Sequence, residues 1–221
     1  MTRRRPRGQE GVVRGCCLLI ALLIALLAGA AFMVDRAVAA PELGASPRGP
    51  DHGDSEAAIA VSLGVQLAAE LVAQPHGTVT LSEHDLSVLA AAHNPQPTTF
   101  SGVAVRVRDH LLAVSGAHPF GPFSVTAVAR MQLSLDASQA PPSLTTQVQQ
   151  LDVGELTIPG FLRDRILGGL AGAISLDHLF AGSPALRALR ANIECVDVAL
   201  DGVRVGVHRP GTAADPSICG G

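Results

Sequence analysis

Apolar positions along the chain change their spacing several times, and each change marks an element. Gly15–Val34 is an apolar run without one charge, closed by Asp35 and Arg36. A helix of that length spans about 30 Å, the thickness of a bilayer's hydrocarbon core. Residues 40–54, rich in Pro, Gly and Asp, read as a linker. In Ser55–Ala73, Ile59, Leu63, Leu67 and Leu71 recur four apart, and Val61, Val65 and Val72 widen the stripe. This predicts a helix, weakened by Gly64 and ended by Pro75. Gln66 and Glu70 interrupt it, so a core helix is expected rather than a second membrane segment. Thr78–Leu81 is a short β-type run. Ser82 then offers an N-cap, with Asp85 three residues on and Leu81 and Leu86 at staple positions, which predicts a helix from Glu83 to about His93.

From Ser101 the period becomes two. Val103, Val105 and Val107 alternate with polar or small residues, and Asp109-His110 turns the chain into Leu111–Ser115. His118–Pro122 reads as a second turn. The alternation Phe123, Val125, Ala127, Ala129, Met131, Leu133 and Leu135 follows, a strand of about 46 Å that must twist, bend or divide. Leu144–Leu156 returns as strand with a change of parity, implying a bulge near Gln149-Gln150. Pro159 opens a helix over Phe161, Leu162, Ile166 and Leu170, and Ser183-Pro184 another. At the C-terminus, Asp201-Gly202 has the composition of a two-residue type I′ turn, placing Leu200 opposite Val203, Val198 opposite Val205 and Val196 opposite Val207.

The fold class expected is α+β: a long curved antiparallel sheet packed on or wrapped around helices, preceded by one N-terminal transmembrane helix. Five arginines precede the apolar run, so the positive-inside rule keeps residues 1–14 cytoplasmic as a basic tail. Residues 15–36 are then the membrane anchor, 37–54 a flexible linker, 55–209 an extracytoplasmic domain and 210–221 a tail. Ala37-Val38-Ala39 resembles a signal-peptidase site, but the apolar run exceeds a usual signal core and favours a retained anchor. After residue 36 the chain carries ten Arg against seventeen acidic residues, and Lys is absent throughout. An acidic exported domain excludes a nucleic-acid binder. Cys16 and Cys17 read as apolar residues at the membrane boundary. Cys195 and Cys219 are candidates for a bridge in the oxidising exterior, the alternative being two free thiols.

Candidate chemistry is sparse. Ser82, His84 and Asp85 suggest a triad, but neighbours on a helix point in different directions, and capping explains them better. The eight His show no recurring metal spacing, and no phosphate, nucleophile-elbow or zincin motif occurs. No enzyme, cofactor or metal is implied.

The order of one N-terminal span, a Leu81-Ser-Glu-His-Asp-Leu86 helix start, long strands and Leu151-Asp-Val-Gly-Glu-Leu-Thr-Ile-Pro159 before a helix resembles the YpmS-like family of single-pass extracytoplasmic proteins of poorly defined function. The resemblance covers roughly residues 12–209. Where that pattern has Asn after the helix-start leucine, this chain has Ser87. More loosely, the plan is similar to envelope domains whose curved sheets hold lipids. Long alternating strands with aliphatic inward faces, covered by apolar helices, would form such an apolar groove for lipid or a similar ligand from Val103, Val105, Val125, Ala127, Met131 and Leu133, with Leu162 and Ile166 from the covering helix. A filled sheet-on-helix core is the other reading of the same residues. The alternative function is a protein-interaction module in envelope assembly, docking an envelope protein.

Overall fold

The computed structural model describes residues 26, 28–39, 41, 43, 47–94, 99–136, 138–167, 174–175 and 184–220. Residues 28–38 are helical (α1). The elements that follow are α2 (Glu56–Ala73), β1 (His76–Ser82), α3 (Glu83–Ala92), β2 (Ser101–Arg108), β3 (Leu111–Phe120), β4 (Phe123–Asp136) and β5 (Ser143–Val153). Next come β6 (Leu156–Thr157), α4 (Gly160–Leu167), β7 (Ile174–Ser175), α5 (Pro184–Ala191), β8 (Ile193–Ala199), β9 (Gly202–His208) and a 3-10 turn, Pro216–Cys219. The strands form two antiparallel sheets, a small one in the order β1-β9-β8 and a large one in the order β2-β3-β4-β5-β6, with β7 also on β5. The α+β class with long antiparallel strands is therefore present. The tail expected at 210–221 is pinned by a Cys195–Cys219 disulfide. Residues 15–25, with Cys16 and Cys17, lie outside the described residues, as do Leu170 and Ser183.

The strand face that carries Val105, Val107 and Leu112 is closed by Val198 and Val203 of the small sheet, with Leu86 and Ala90 of α3 packed alongside. The bulge near Gln149 is present: Arg130 pairs with Gln150 but Met131 with Val148, leaving Gln149 extra. The capping box at α3 is complete, with Asp85 N–H donating to Ser82 Oγ at 3.1 Å and Ser82 N–H to Asp85 Oδ2 at 2.9 Å. His84 instead meets Asp54 at 3.1 Å, so no triad is assembled.

Glu83 is fully buried. Its Oε1 accepts from Val107 N–H at 2.7 Å and Arg108 Nη1 at 2.9 Å, and its Oε2 from Arg48 N–H at 3.0 Å. Ser87 Oγ accepts from Val105 N–H at 2.8 Å, a second bond from α3 to β2. The chain before α2 is likewise held rather than free as the linker reading expected. Arg36 C=O accepts from Glu155 N–H at 2.8 Å, Leu43 C=O from Arg108 Nη2, and His52 Nδ1 lies 2.6 Å from Asp85 Oδ2.

Three expectations are corrected. First, α2 is not a core helix, because Ile59 is its one buried residue while Val61, Val65 and Val72 are exposed. Among the described residues it is the helix long and apolar enough to cross a membrane by length and composition. Both of its ends are fastened to the domain, by Glu56 to His93 at 3.3 Å and by the Arg209 guanidinium on the carbonyls of Leu71, Val72 and Gln74. Second, the C-terminal hairpin turns at Leu200-Asp201, with Ala199 opposite Gly202 and Val198 opposite Val203. Gly202 belongs in the strand because a Cβ there would come within 2.0 Å of Leu81 C=O. Third, the scattered His, expected to be merely solvated, are in several cases structural: besides His52, His76 Nδ1 sits 2.9 Å from the buried Glu194 carboxylate, which also accepts from Asp215 N–H at 2.7 Å.

Removing the buried carboxylate in Glu83→Ala strands Arg108 and two backbone donors, and should lower stability by about 3 kcal/mol. The urea midpoint should shift with an unchanged slope. Burial raises the Asp85 carboxyl, but hydrogen bonds from His52 and Ser82 outweigh it and hold Asp85 below the ordinary value. Its contribution is therefore complete above about pH 4 and is lost as pH falls through the depressed value. Asp85→Asn should flatten the acid limb of a urea-midpoint titration. Gly206 lies opposite Cys195, and a Cβ there would fall 2.3 Å from the sulfur. Gly206→Ala should therefore raise the free-thiol count of the oxidised protein or cost stability on the scale of the bridge itself, about 3 kcal/mol.

Candidate apolar groove

The face of the large sheet that is filled at one end is open at the other. Cross-strand pairing places Val105, Val114, Ala129 and Leu151 in one row, and Gly116, Ala127 and Val153 in the next. Toward the β2–β3 turn the face is closed by α3 and the small sheet. Beyond the last turn of α3 it is open, forming a cleft of about 290 Å³. Its floor is Val103, Val114, Gly116, Ala127, Ala129 and Leu151, and its rim is Ala90, Asn94 and Phe100. The volume is at the small end for ligand sites.

Depth comes from small side chains on the central strands. Gly116 and Ala127 are directly paired, as are Val114 and Ala129, so the middle of the floor carries little volume. The lining holds no charge. Its two polar residues are already engaged: Asn94 Nδ2 donates to Phe100 C=O at 2.9 Å, and Ser115, whose side chain alternates to the other face of the strand, donates through Oγ to Ala104 C=O at 3.2 Å. A ligand here is held by apolar contact and shape.

Of the expected groove residues, Val103 and Ala127 line the cleft. Val105 does not, being 4% exposed within the filled core, and Leu133 packs against that core. Val125 and Met131 share the same face, half-buried, outside the lining. Leu162 is 38% exposed on α4, which is tied to β5 through Arg163 to Gln149 C=O and contributes no residue to the cleft lining. The side chain of Ile166 lies outside the described residues. The covering helix is α3, because Glu83 and Ser87 dock it onto β2. Leu151, Val114 and Gly116 were missed, although the β3–β4 register places Val114 and Gly116 opposite Ala129 and Ala127, and the β4–β5 register places Leu151 opposite Ala129.

No three His, Cys, Asp or Glu side chains among the described residues group as a metal would require. No protein-family model, curated protein or solved structure matches the chain.

Proposed function

We propose that this chain is a membrane-anchored extracytoplasmic protein that holds a lipid acyl chain, or an apolar ligand of similar shape, in the groove. The observation that carries this reading is an open, charge-free cleft whose polar atoms are internally satisfied. Such a lining favours hydrocarbon and gives no group with which to do chemistry on it. The anchor rests on the arginine-led apolar run before Asp35, with the N-terminus cytoplasmic. Its continuation, α1, leaves Phe32, Met33 and Val34 exposed, as a helix meant for lipid would.

Docking of an envelope protein is the second reading, favoured by the exposed, uncharged Val61, Val65 and Val72 face of α2. The two separate cleanly. With the full chain in nanodiscs, a fluorescent acyl probe should bind, and Ala127→Phe should weaken it at least about tenfold while leaving the urea midpoint near wild type. Probe affinity indifferent to Ala127→Phe, or no probe binding, would remove the groove reading. One stoichiometric crosslinked protein on α2 would then favour the second.

A further inference from the structure

The β3–β4 hairpin extends past both of its neighbours. Pairing of β2 with β3 ends at Ser101–Ala117, and pairing of β5 with β4 ends at Val153–Ala127. Beyond them, His118–Val125, Pro119–Ser124 and Phe120–Phe123 continue as a two-stranded ribbon. Gly121 at φ 59°, followed by Pro122, closes it as a type II′ turn, which tightens the tip to two residues. This differs from the five-residue turn expected at His118–Pro122. Phe120 and Phe123 are 70% and 51% exposed. From Leu111 to Ala129 no Asp, Glu, Lys or Arg occurs.

The tip also has a defined position relative to the N-terminal helix. Gly154 N–H donates to Thr126 C=O at 2.7 Å, and the adjacent Glu155 N–H donates to Arg36 C=O. Arg36 Nη1 meets Glu155 Oε2 at 2.7 Å as well. The residue that ends the apolar run is thus held level with Thr126, at the root of the ribbon. The Phe pair stands three residues further on, about 10 Å at strand spacing. Interfacial side chains reach about that depth between headgroups and acyl chains.

We infer that the β3–β4 tip inserts Phe120 and Phe123 into the same bilayer leaflet from which α1 emerges. This rests on the anchor reading above for its geometry. A lipid surface is the occupant the observations select, because the apolar run ends at the ribbon's root and the ribbon carries no charge to be desolvated. The two Phe lie on the face that continues through His118 and Val125 to Gly116 and Ala127. Along it His118 Nδ1 is satisfied by Thr99 C=O at 2.7 Å, and its ring packs against Phe100 in a tilted contact at 5.6 Å. Insertion therefore sets the open end of the groove against the membrane.

The chain holds no Trp, so single substitutions report one site each. Phe120→Trp, Phe123→Trp, Phe32→Trp and Leu200→Trp would be compared in the full chain, reconstituted in phosphatidylcholine vesicles with and without chain-brominated lipid. Leu200 is the control, exposed at the opposite end of the large sheet, where His110 Nδ1 meets Val198 C=O at 3.1 Å. Expected are blue-shifted emission and roughly twofold quenching at 120 and 123, with none at 200. Quenching at 32 without quenching at 120 and 123 overturns the insertion and leaves the anchor standing. Quenching at 120 and 123 but not at 32 keeps the insertion and overturns the anchor. All four positions silent overturns both. The Phe sites are exposed, and retention of the Cys195–Cys219 bridge checks that each variant folds.

Discussion

A carboxylate shut away from solvent at the first turn of α3 sets the arrangement of everything around it. Glu83 satisfies one backbone donor of β2, one from the chain before α2, and an arginine at the end of β2. It stands at a helix N-terminus, where the backbone dipole favours negative charge. Desolvating a carboxylate is costly, and the cost is offset only if all these donors converge. The arrangement therefore tolerates little sliding of α3 along β2. Ser87, one turn further on, repeats the constraint with a neutral group. The small sheet then follows, because β1 runs directly into the capped start of α3 and carries β9 and β8 with it.

The groove is a geometric consequence. A ten-residue helix is about 15 Å long, whereas a fourteen-residue strand extends about 46 Å. With α3 fixed at its N-terminus near Val107, its last turn ends short of the far half of the sheet. The small sheet covers the same half as α3. What remains uncovered is floored by Gly116, Ala127 and Ala129, too small to collapse over the gap.

Much of this was legible from the residues, and the misses share a cause. Helix starts, the long strand, the bulge at Gln149 and the Cys195–Cys219 bridge follow from local chemistry: a cap, an alternation, a parity change, an even pair after the apolar run. Register across a turn is less determined. At the C-terminal hairpin, Val196, Val198, Val203 and Val205 share a face whether the turn lies at Asp201-Gly202 or one residue earlier, because that slip moves the pairing by two. Hydrophobic burial cannot choose between them. The choice is made by Leu81 C=O, whose approach leaves no room for a Cβ at residue 202, and that contact comes from a strand far away in sequence. Glu83 was passed over for the same reason: its partners Arg48, Val107 and Arg108 converge only in three dimensions.

The placement of the aromatic residues carries more than their scarcity. In an ordinary domain the few Phe would be drawn to the core, where each large apolar side chain stabilises by about 1.5–3 kcal/mol. Here the core is Val, Leu and Ile, and the five described Phe are all at least 37% exposed. Apart from Phe161 on α4, they are not scattered singly over the surface. Phe120 and Phe123 share the ribbon tip, Phe100 packs against His118 at its root, and Phe32 lies on α1, one helical turn from the Arg36 held at that root. Keeping the described Phe out of the core and gathering four of the five at one end forgoes folding stability there. A bilayer met by that end would restore the lost burial, and under the proposal above the groove's open mouth and the aromatic tip are two parts of one membrane-facing surface.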